Sequence, residues 1–300
     1  MTGNSFPLAV LGGDRRQVYM IRELIGAGFP VHCWGFGGFE GADSLPLSET
    51  WEECVRDCHA VVLPLPASAD EVRVFLPLAA RGETLRLDHL FSAVSGGILL
   101  GGRLSQSFTE RAERYGIRCM DYFRSEILQL KNALPSAEGA VSVAMQELPV
   151  TLDGCTVSVI GYGRIGILLA EKLRALGADV TVFARRTEVL ERAKLSHCAV
   201  CRMYGDERDA GTLCFPAGTR VIFNTAPHRT LTGAVLERVP RECILIDLAS
   251  APGGIDFATA QAQGLRTVWA TALPGKYAPE SAGRFLAETV GELLLQTALP

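Results

Sequence analysis

The sequence predicts an α/β protein made of two doubly wound domains, each a mainly parallel sheet with helices on both faces, joined by helices. Three observations predict it. Short apolar runs of strand length recur, each closed by glycine, proline or a polar residue. Amphipathic runs of helical period lie between them. The succession strand, glycine turn, helix, strand occurs twice, once starting at Leu8 and once at Thr156. The 300 residues then divide into an N-terminal α/β domain (1–134), a connecting helix (135–150), a second α/β domain (151–280) and a last helix (281–300) that packs back on the first domain.

The second domain opens on Thr156-Val157-Ser158-Val159-Ile160, then Gly161-Tyr162-Gly163-Arg164-Ile165-Gly166, then an apolar run that stops at Gly177. In this pattern the first glycine permits the sharp turn, the second admits a pyrophosphate against the backbone, and the third lets the helix sit close on the sheet. The helix N-terminus presents unpaired N–H groups to phosphates. We therefore read 151–280 as a Rossmann-like dinucleotide-binding domain, with Gly161, Gly163, Arg164, Ile165 and Gly166 on the cofactor. After the next strand, 180–184, an NAD site places an acidic residue against the ribose 2′-OH; this chain has Arg185-Arg186. Two guanidinium groups suit a 2′-phosphate, so NADP is expected.

The first domain starts with the strand Leu8-Ala9-Val10-Leu11, turns at Gly12-Gly13-Asp14-Arg15-Arg16, and enters a helix with apolar Val18, Ile21, Leu24 and Ile25. A third dinucleotide glycine is missing and charge occupies the turn, so this loop is read as holding an anionic substrate. His59-Ala60-Val61-Val62 is a further strand, and Leu87-Asp88-His89 and 97–102 continue the pattern. Ser95-Gly96-Gly97 reads equally as a backbone nest for a carboxylate or as a plain turn. In the second domain, strands over 220–224, 243–247 and 266–270 end in Asn224-Thr225-Ala226, in Asp247 with Ser250, Gly253 and Gly254, and in the loop that carries Lys276. These ends share the rim where a nicotinamide is expected.

A formal charge of −4 gives no basic field for nucleic acid, and no apolar run reaches the length of a membrane span. The start lacks the charged and apolar regions of a signal peptide, so a cytoplasmic protein is expected. The nine cysteines lie mostly in strand-like apolar contexts, as reduced thiols do. Cys198 and Cys201 have ligand spacing but no partner pair, so no metal is expected.

Taken in order, six stretches resemble the A subunits of dipicolinate synthase from spore-forming bacteria. They are Leu11-Gly12-Gly13-Asp14-Arg15-Arg16-Gln17, Pro135-Ser136-Ala137-Glu138-Gly139-Ala140, the glycine turn, Phe223-Asn224-Thr225-Ala226-Pro227, the run from Asp247 through Gly254 to Phe257, and Leu273-Pro274-Gly275-Lys276-Tyr277 continuing to Gly283. Segments 36–48 and 197–215 look individual, and nothing functional is carried onto them. The resemblance implies oxidation of dihydrodipicolinate to dipicolinate with hydride transfer to NADP, a flavoprotein-like B subunit of the synthase as partner, and a role in sporulation in the mother cell.

The chemistry this implies needs two ring carboxylates held and one proton removed. Arg15, Arg16, the Ser95, Gly96 and Gly97 amides, and Lys276 are candidate anchors, with Ser250, Gly253 and Gly254 also near the substrate. Glu138, Asp14 or water is the base, with Lys276 grouped among the catalytic candidates. Asn224, Thr225, Ala226 and Asp247 are assigned to the cofactor side, with a carboxylate that caps the neighbouring loop amides as the equal alternative for Asp247. A homo-oligomer is expected.

Two other readings stand beside this one. A 2-hydroxyacid dehydrogenase shares the architecture but needs a histidine acid/base and an arginine on the keto acid; neither the Lys276 loop nor the Asp247 loop supplies them. Alternatively, the chain is a non-catalytic NADP-binding component that completes a site shared with the B subunit.

Overall fold

The computed structural model describes residues 6–204 and 213–297. The chain divides into two compact units, 1–132 together with 274–300, and 133–273.

In the first unit β1 (Leu8–Leu11) leads into α1 (Arg15–Gly26), and β2 (Val31–Trp34) returns parallel to β1. Then come α2 (Trp51–Val55), β3 (Ala60–Val62), α3 (Leu87–Ala93), β4 (Ile98–Gly101), α4 (Gln106–Glu113) and β5 (Arg118–Asp121). All five strands are parallel, in the order β2-β1-β3-β4-β5. The chain reverses its direction of growth between β1 and β3, the position where such sheets open a crevice at their carboxyl edge. Alternate residues serve opposite faces: Leu8 and Val10 enter one core, Ala9 and Leu11 the other. Leu87-Asp88-His89, read as more of the strand pattern, instead opens α3. Leu87, Leu90 and Phe91 fall on one helical face and are fully enclosed, and Asp88 sits in the first turn.

The connecting helix starts earlier than the sequence suggested. α5 runs Glu126–Glu147 with Pro135 inside it. Proline lacks an N–H and starts helices more readily than it interrupts them, so a helix running through Pro135 is not what the residue type favours.

The second unit contains β6 (Thr156–Ile160), α6 (Arg164–Ala175), β7 (Asp179–Ala184), α7 (Thr187–Leu195), β8 (Ala199–Arg202), β9 (Val221–Asn224), α8 (Gly233–Leu236), β10 (Ile244–Asp247), α9 (Phe257–Ala262) and β11 (Arg266–Trp269). Of the individual segment 197–215, residues 205–212 lie outside the described residues. The six strands are parallel in the order β11-β10-β9-β6-β7-β8, the arrangement of a dinucleotide-binding sheet with its switch point between β6 and β9. Val157 and Val159 pack on one face with Val221 and Phe223, while Ile160 packs on the other with Ile222.

The chain ends in α10 (Leu273–Tyr277) and α11 (Pro279–Thr297). In the first unit α11 lies along α1, with Leu286, Val290 and Leu294 sharing one core with Val18, Ile21 and Leu24. Burying each such side chain is worth about 1.5–3 kcal/mol. The two helices touch backbone to backbone at Gly283, where a Cβ would stand 2.5 Å from Tyr19 Cβ and 2.6 Å from the Arg16 carbonyl oxygen. The two-domain, parallel α/β class expected from the sequence is the class observed.

Candidate cofactor site

The site grows from the end of β6. Gly161 takes φ +90°, reserved for glycine in practice, and its N–H donates to the Phe183 carbonyl at 2.8 Å. Thr225, just past β9, closes the turn from behind: its N–H and hydroxyl both donate to the Ile160 carbonyl, at 2.9 and 3.0 Å. The three glycines differ in what requires them. A Cβ on Gly161 would meet Thr225 Oγ1 at 2.5 Å, and one on Gly166 would meet the Gly161 carbonyl oxygen at 2.2 Å, so internal packing forbids both. A Cβ on Gly163 would meet nothing within 4 Å, and its φ of −93° suits any residue.

Gly163 is also the N-cap of α6 and supplies no side-chain hydrogen bond, so the first-turn amides of this helix have no cap from it. An open glycine beside uncapped helix amides is what a pyrophosphate needs. Gly161 and Gly163 line a cleft of about 630 Å³ together with Arg185, Arg186, Thr225 and Ala226. Arg164, Ile165 and Gly166 form the start of α6 just behind the turn. These residues fit a dinucleotide: the α6 amides would hold its pyrophosphate and the tip of β7 its adenosine end.

The electrostatics of the cleft are one-sided. Among the described residues its lining carries Arg185, Arg186, Arg229 and His228, and no carboxylate. Arg186 also pairs with Glu188 across 3.5 Å on the exposed start of α7. His228 and Arg229, in the loop after β9, are not among the residues the sequence singled out; the only available signal was that they follow Ala226-Pro227.

Asn224 and Asp247, assigned to the cofactor, do not line the cleft. Both are fully buried. Asp247 Oδ1 accepts from Asn224 Nδ2 (2.8 Å) and the Ala249 N–H (3.0 Å), and Oδ2 accepts from the Gly254 (2.7 Å) and Ile255 (3.3 Å) N–H groups. Asn224 Nδ2 also donates to the Ala226 carbonyl, and its Oδ1 accepts from Thr230 Oγ1 at 3.0 Å. The pair locks two loops, because a buried carboxylate must be met by donors. Gly253 and Gly254, expected near substrate, are buried against this lock: a Cβ on Gly254 would stand 2.0 Å from Asn224 Nδ2, and one on Gly253 2.8 Å from Asp247 Oδ2. Ser250 is exposed in the same loop, its carbonyl accepting from Gly253. Glu138, on α5, pairs with Lys172 at 2.9 Å.

At the carboxyl edge of the first unit's sheet, Asp14 caps α1, with its side chain accepting from the Arg16 N–H at 3.0 Å and its own N–H donating to Gln17. Arg16, expected to hold a substrate carboxylate, is buried and holds Asp14 through both oxygens, at 2.9 and 2.8 Å, and donates to the Leu65 carbonyl. Helical phase turns Arg16 inward and leaves Arg15 exposed. Gly275 lies on this ion pair, where a Cβ would be 2.9 Å from Asp14 Oδ2, and the neighbouring Lys276 is exposed. Arg103 stands at the same edge after β4, its guanidinium over the Phe123 ring and its N–H on Asp121 Oδ1; burial and the nearby Arg16 charge push it below the usual guanidinium range. Nothing in its sequence context singled it out.

Ser95, Gly96 and Gly97 do not form the expected nest. They precede β4 and so lie at the opposite edge of that sheet. Their groups are already paired: the Ser95 hydroxyl and Gly96 N–H donate to the Tyr115 carbonyl, and the Gly97 N–H donates to Val94.

Among the described residues no group of His, Cys, Asp and Glu is arranged to hold a metal, no disulfide forms, and no helix is long and apolar enough to cross a membrane.

A parallel sheet of this order with a glycine turn and open helix amides defines an oxidoreductase-like fold that binds NAD or NADP. Residues 156–199 match the family of pyridine nucleotide-disulphide oxidoreductases, and residues 7–123 match the N-terminal domain of the dipicolinate synthase A subunit. The chain is 30% identical over 294 residues to the dipicolinate synthase A subunit of Bacillus subtilis (strain 168), covering 96% of each. It superposes on the crystal structure of the dipicolinate synthase A subunit from Bacillus halodurans with TM-score 0.85 at 27% identity, covering 100% of both chains. The crystal structure of the corresponding Bacillus subtilis protein gives 0.82 at 28% identity, covering 99% of this chain and 98% of that one. The chain belongs to the family of dipicolinate synthase A subunits, as its six stretches implied.

Proposed function

We propose that this chain oxidises dihydrodipicolinate to dipicolinate with NADP as hydride acceptor, working with a flavoprotein-like B subunit in the mother-cell cytoplasm of a sporulating bacterium. Family membership supports the substrate. The choice of NADP rests on one observation, the cationic lining of the cleft at Arg185 and Arg186, with no carboxylate among its described residues. A phosphate monoester carries roughly −1.5 to −2 charges near neutral pH, and guanidinium groups meet it with charge-assisted hydrogen bonds.

When bound, the nicotinamide ring supplies the hydride acceptor. The chain's own part is positioning. Gly163 keeps the path to the α6 amides clear, and Thr225 holds the turn rigid. Arg15 and Lys276, the exposed cations beside Asp14, pair with the ring carboxylates. Loss of a hydride and a proton from the dihydropyridine yields an aromatic ring, so proton removal asks little of a base. Asp14 and Glu138 already hold Arg16 and Lys172, which leaves water as the proton acceptor.

The same ion pairs favour the second reading, a site completed by the B subunit. One assay separates the two. The purified chain is mixed with dihydrodipicolinate and either coenzyme, with and without the B subunit, and reduced coenzyme is followed by absorbance. Turnover by the chain alone, faster with NADP than NAD, is the expected result; turnover only in the mixture assigns a shared site. Equal rates with both coenzymes overturn the choice of NADP, and no turnover in any mixture overturns the reaction.

A further inference from the structure

Resting on the NADP reading, we propose that Arg229 is a specificity-determining residue that binds the 2′-phosphate of the cofactor together with Arg185. The sheet order β7-β6-β9 places the loops after β7 and β9 on either side of the glycine turn, and Arg185 and Arg229 line one cleft from these two loops. At the tip of β7 Arg186 shares its charge with Glu188 across 3.5 Å, which leaves Arg185 the stronger phosphate partner of the two. A dianionic phosphate is best met by two cations, and Arg229 supplies the second.

The loop is built to hold Arg229 in place. Ala226 is tied to Asn224 through its carbonyl (3.0 Å). Thr230 is tied to the Gly254 carbonyl through its N–H (2.9 Å) and to Asn224 Oδ1 through its hydroxyl (3.0 Å). Pro227, His228 and Arg229 are thus a short exposed bridge between two pinned ends. The buried Asn224–Asp247 lock acts on the cofactor through this loop, without touching it. The competing role for Arg229 is local: Asp256 lies within its electrostatic reach but caps α9 through the Thr259 N–H at 3.2 Å.

The test uses two probes without a nicotinamide, 2′,5′-ADP and 5′-AMP, titrated by calorimetry into the full chain and into Arg229→Gln, Arg229→Lys and Arg185→Gln. Arg229→Gln is expected to weaken 2′,5′-ADP roughly 10- to 100-fold while leaving 5′-AMP unchanged. Arg229→Lys should recover part of that loss, and Arg185→Gln should match it. Equal weakening of both probes would place Arg229 on the 5′-phosphate and overturn the proposal, as would no weakening of either. Failure of the NADP reading itself is visible beforehand, as equal affinity of the unaltered chain for the two probes. An unchanged melting temperature of Arg229→Gln, expected for an exposed side chain, assigns the loss to binding.

Discussion

Asn224 Nδ2 donates to Asp247 Oδ1 across 2.8 Å, both residues fully enclosed, joining the end of β9 to the end of β10. Asp247 receives four donors in all, three of them from the loop that follows it. Asp247→Asn would turn one acceptor into a donor facing N–H groups, and Asp247→Ala would strand all four. We expect either to cost about 2–4 kcal/mol in urea unfolding and to open the 250–254 loop to proteolysis. A cost within about 1 kcal/mol, no more than a surface change, would show that the lock is not structural.

Gly163 and Gly166 make opposite predictions from the same motif. Gly166→Ala forces a Cβ to within 2.2 Å of a backbone oxygen and should lower the melting temperature, costing about 1–3 kcal/mol. Gly163→Ala meets no protein atom and has an ordinary φ, so the fold should melt as before. Its methyl would instead stand where the pyrophosphate approaches, weakening NADP(H) by about tenfold or more in a fluorescence titration. Unaltered binding by Gly163→Ala would remove the pyrophosphate from this turn.

The same contrast shows what the sequence could and could not convey. Strand, turn and helix around Gly161 were legible because periodicity and glycine spacing are local. The role of Asp247 was only half legible: capping of the loop amides stood level with a ligand role, and the structure shows the capping. A polar residue at a strand end in a glycine-rich loop reads alike whether it faces a ligand or locks the loop, and only the fold reveals Asn224 beside it. Arg15 and Arg16 were likewise indistinguishable in sequence; one step of helical phase buries the second on Asp14 and leaves the first in solvent. The Ser95 nest failed because a glycine pair cannot say which edge of the sheet it occupies, and here it precedes β4.

At Gly283 the backbones of α1 and α11 touch, and a methyl added there would lie 2.5 Å from Tyr19 Cβ and 2.6 Å from the Arg16 carbonyl oxygen. Gly283→Ala should push the helices apart and cost about 1–3 kcal/mol, and Gly283→Val more. Because Arg16 sits at the contact and also holds Asp14, the displacement should reach the loop at Gly12 and Gly13. Hydrogen exchange would report it as faster exchange along α1 relative to α6. Uniform exchange changes in both helices would mean that the crossing does not act locally.

Burial pushes the thiols of Cys33, Cys54 and Cys243 up to about 12, while Cys214 is exposed. The thiolate is the reactive form. Iodoacetamide at about pH 8, close to the ordinary thiol range, should therefore modify Cys214 and spare the other three, as read by mass spectrometry of the native chain. The pH dependence of stability follows from the same shifts. With the folded values raised above the ordinary value of 9.0, these thiols do not oppose folding below pH 9; above it the unfolded chain loses their protons first, and stability falls as pH rises toward 12. The urea midpoint should drop between about pH 8 and about 10.5, and Cys54→Ala, less stable at the lower pH from its lost packing, should show a shallower drop. A variant slope equal to that of the unaltered chain would assign the alkaline loss to other groups.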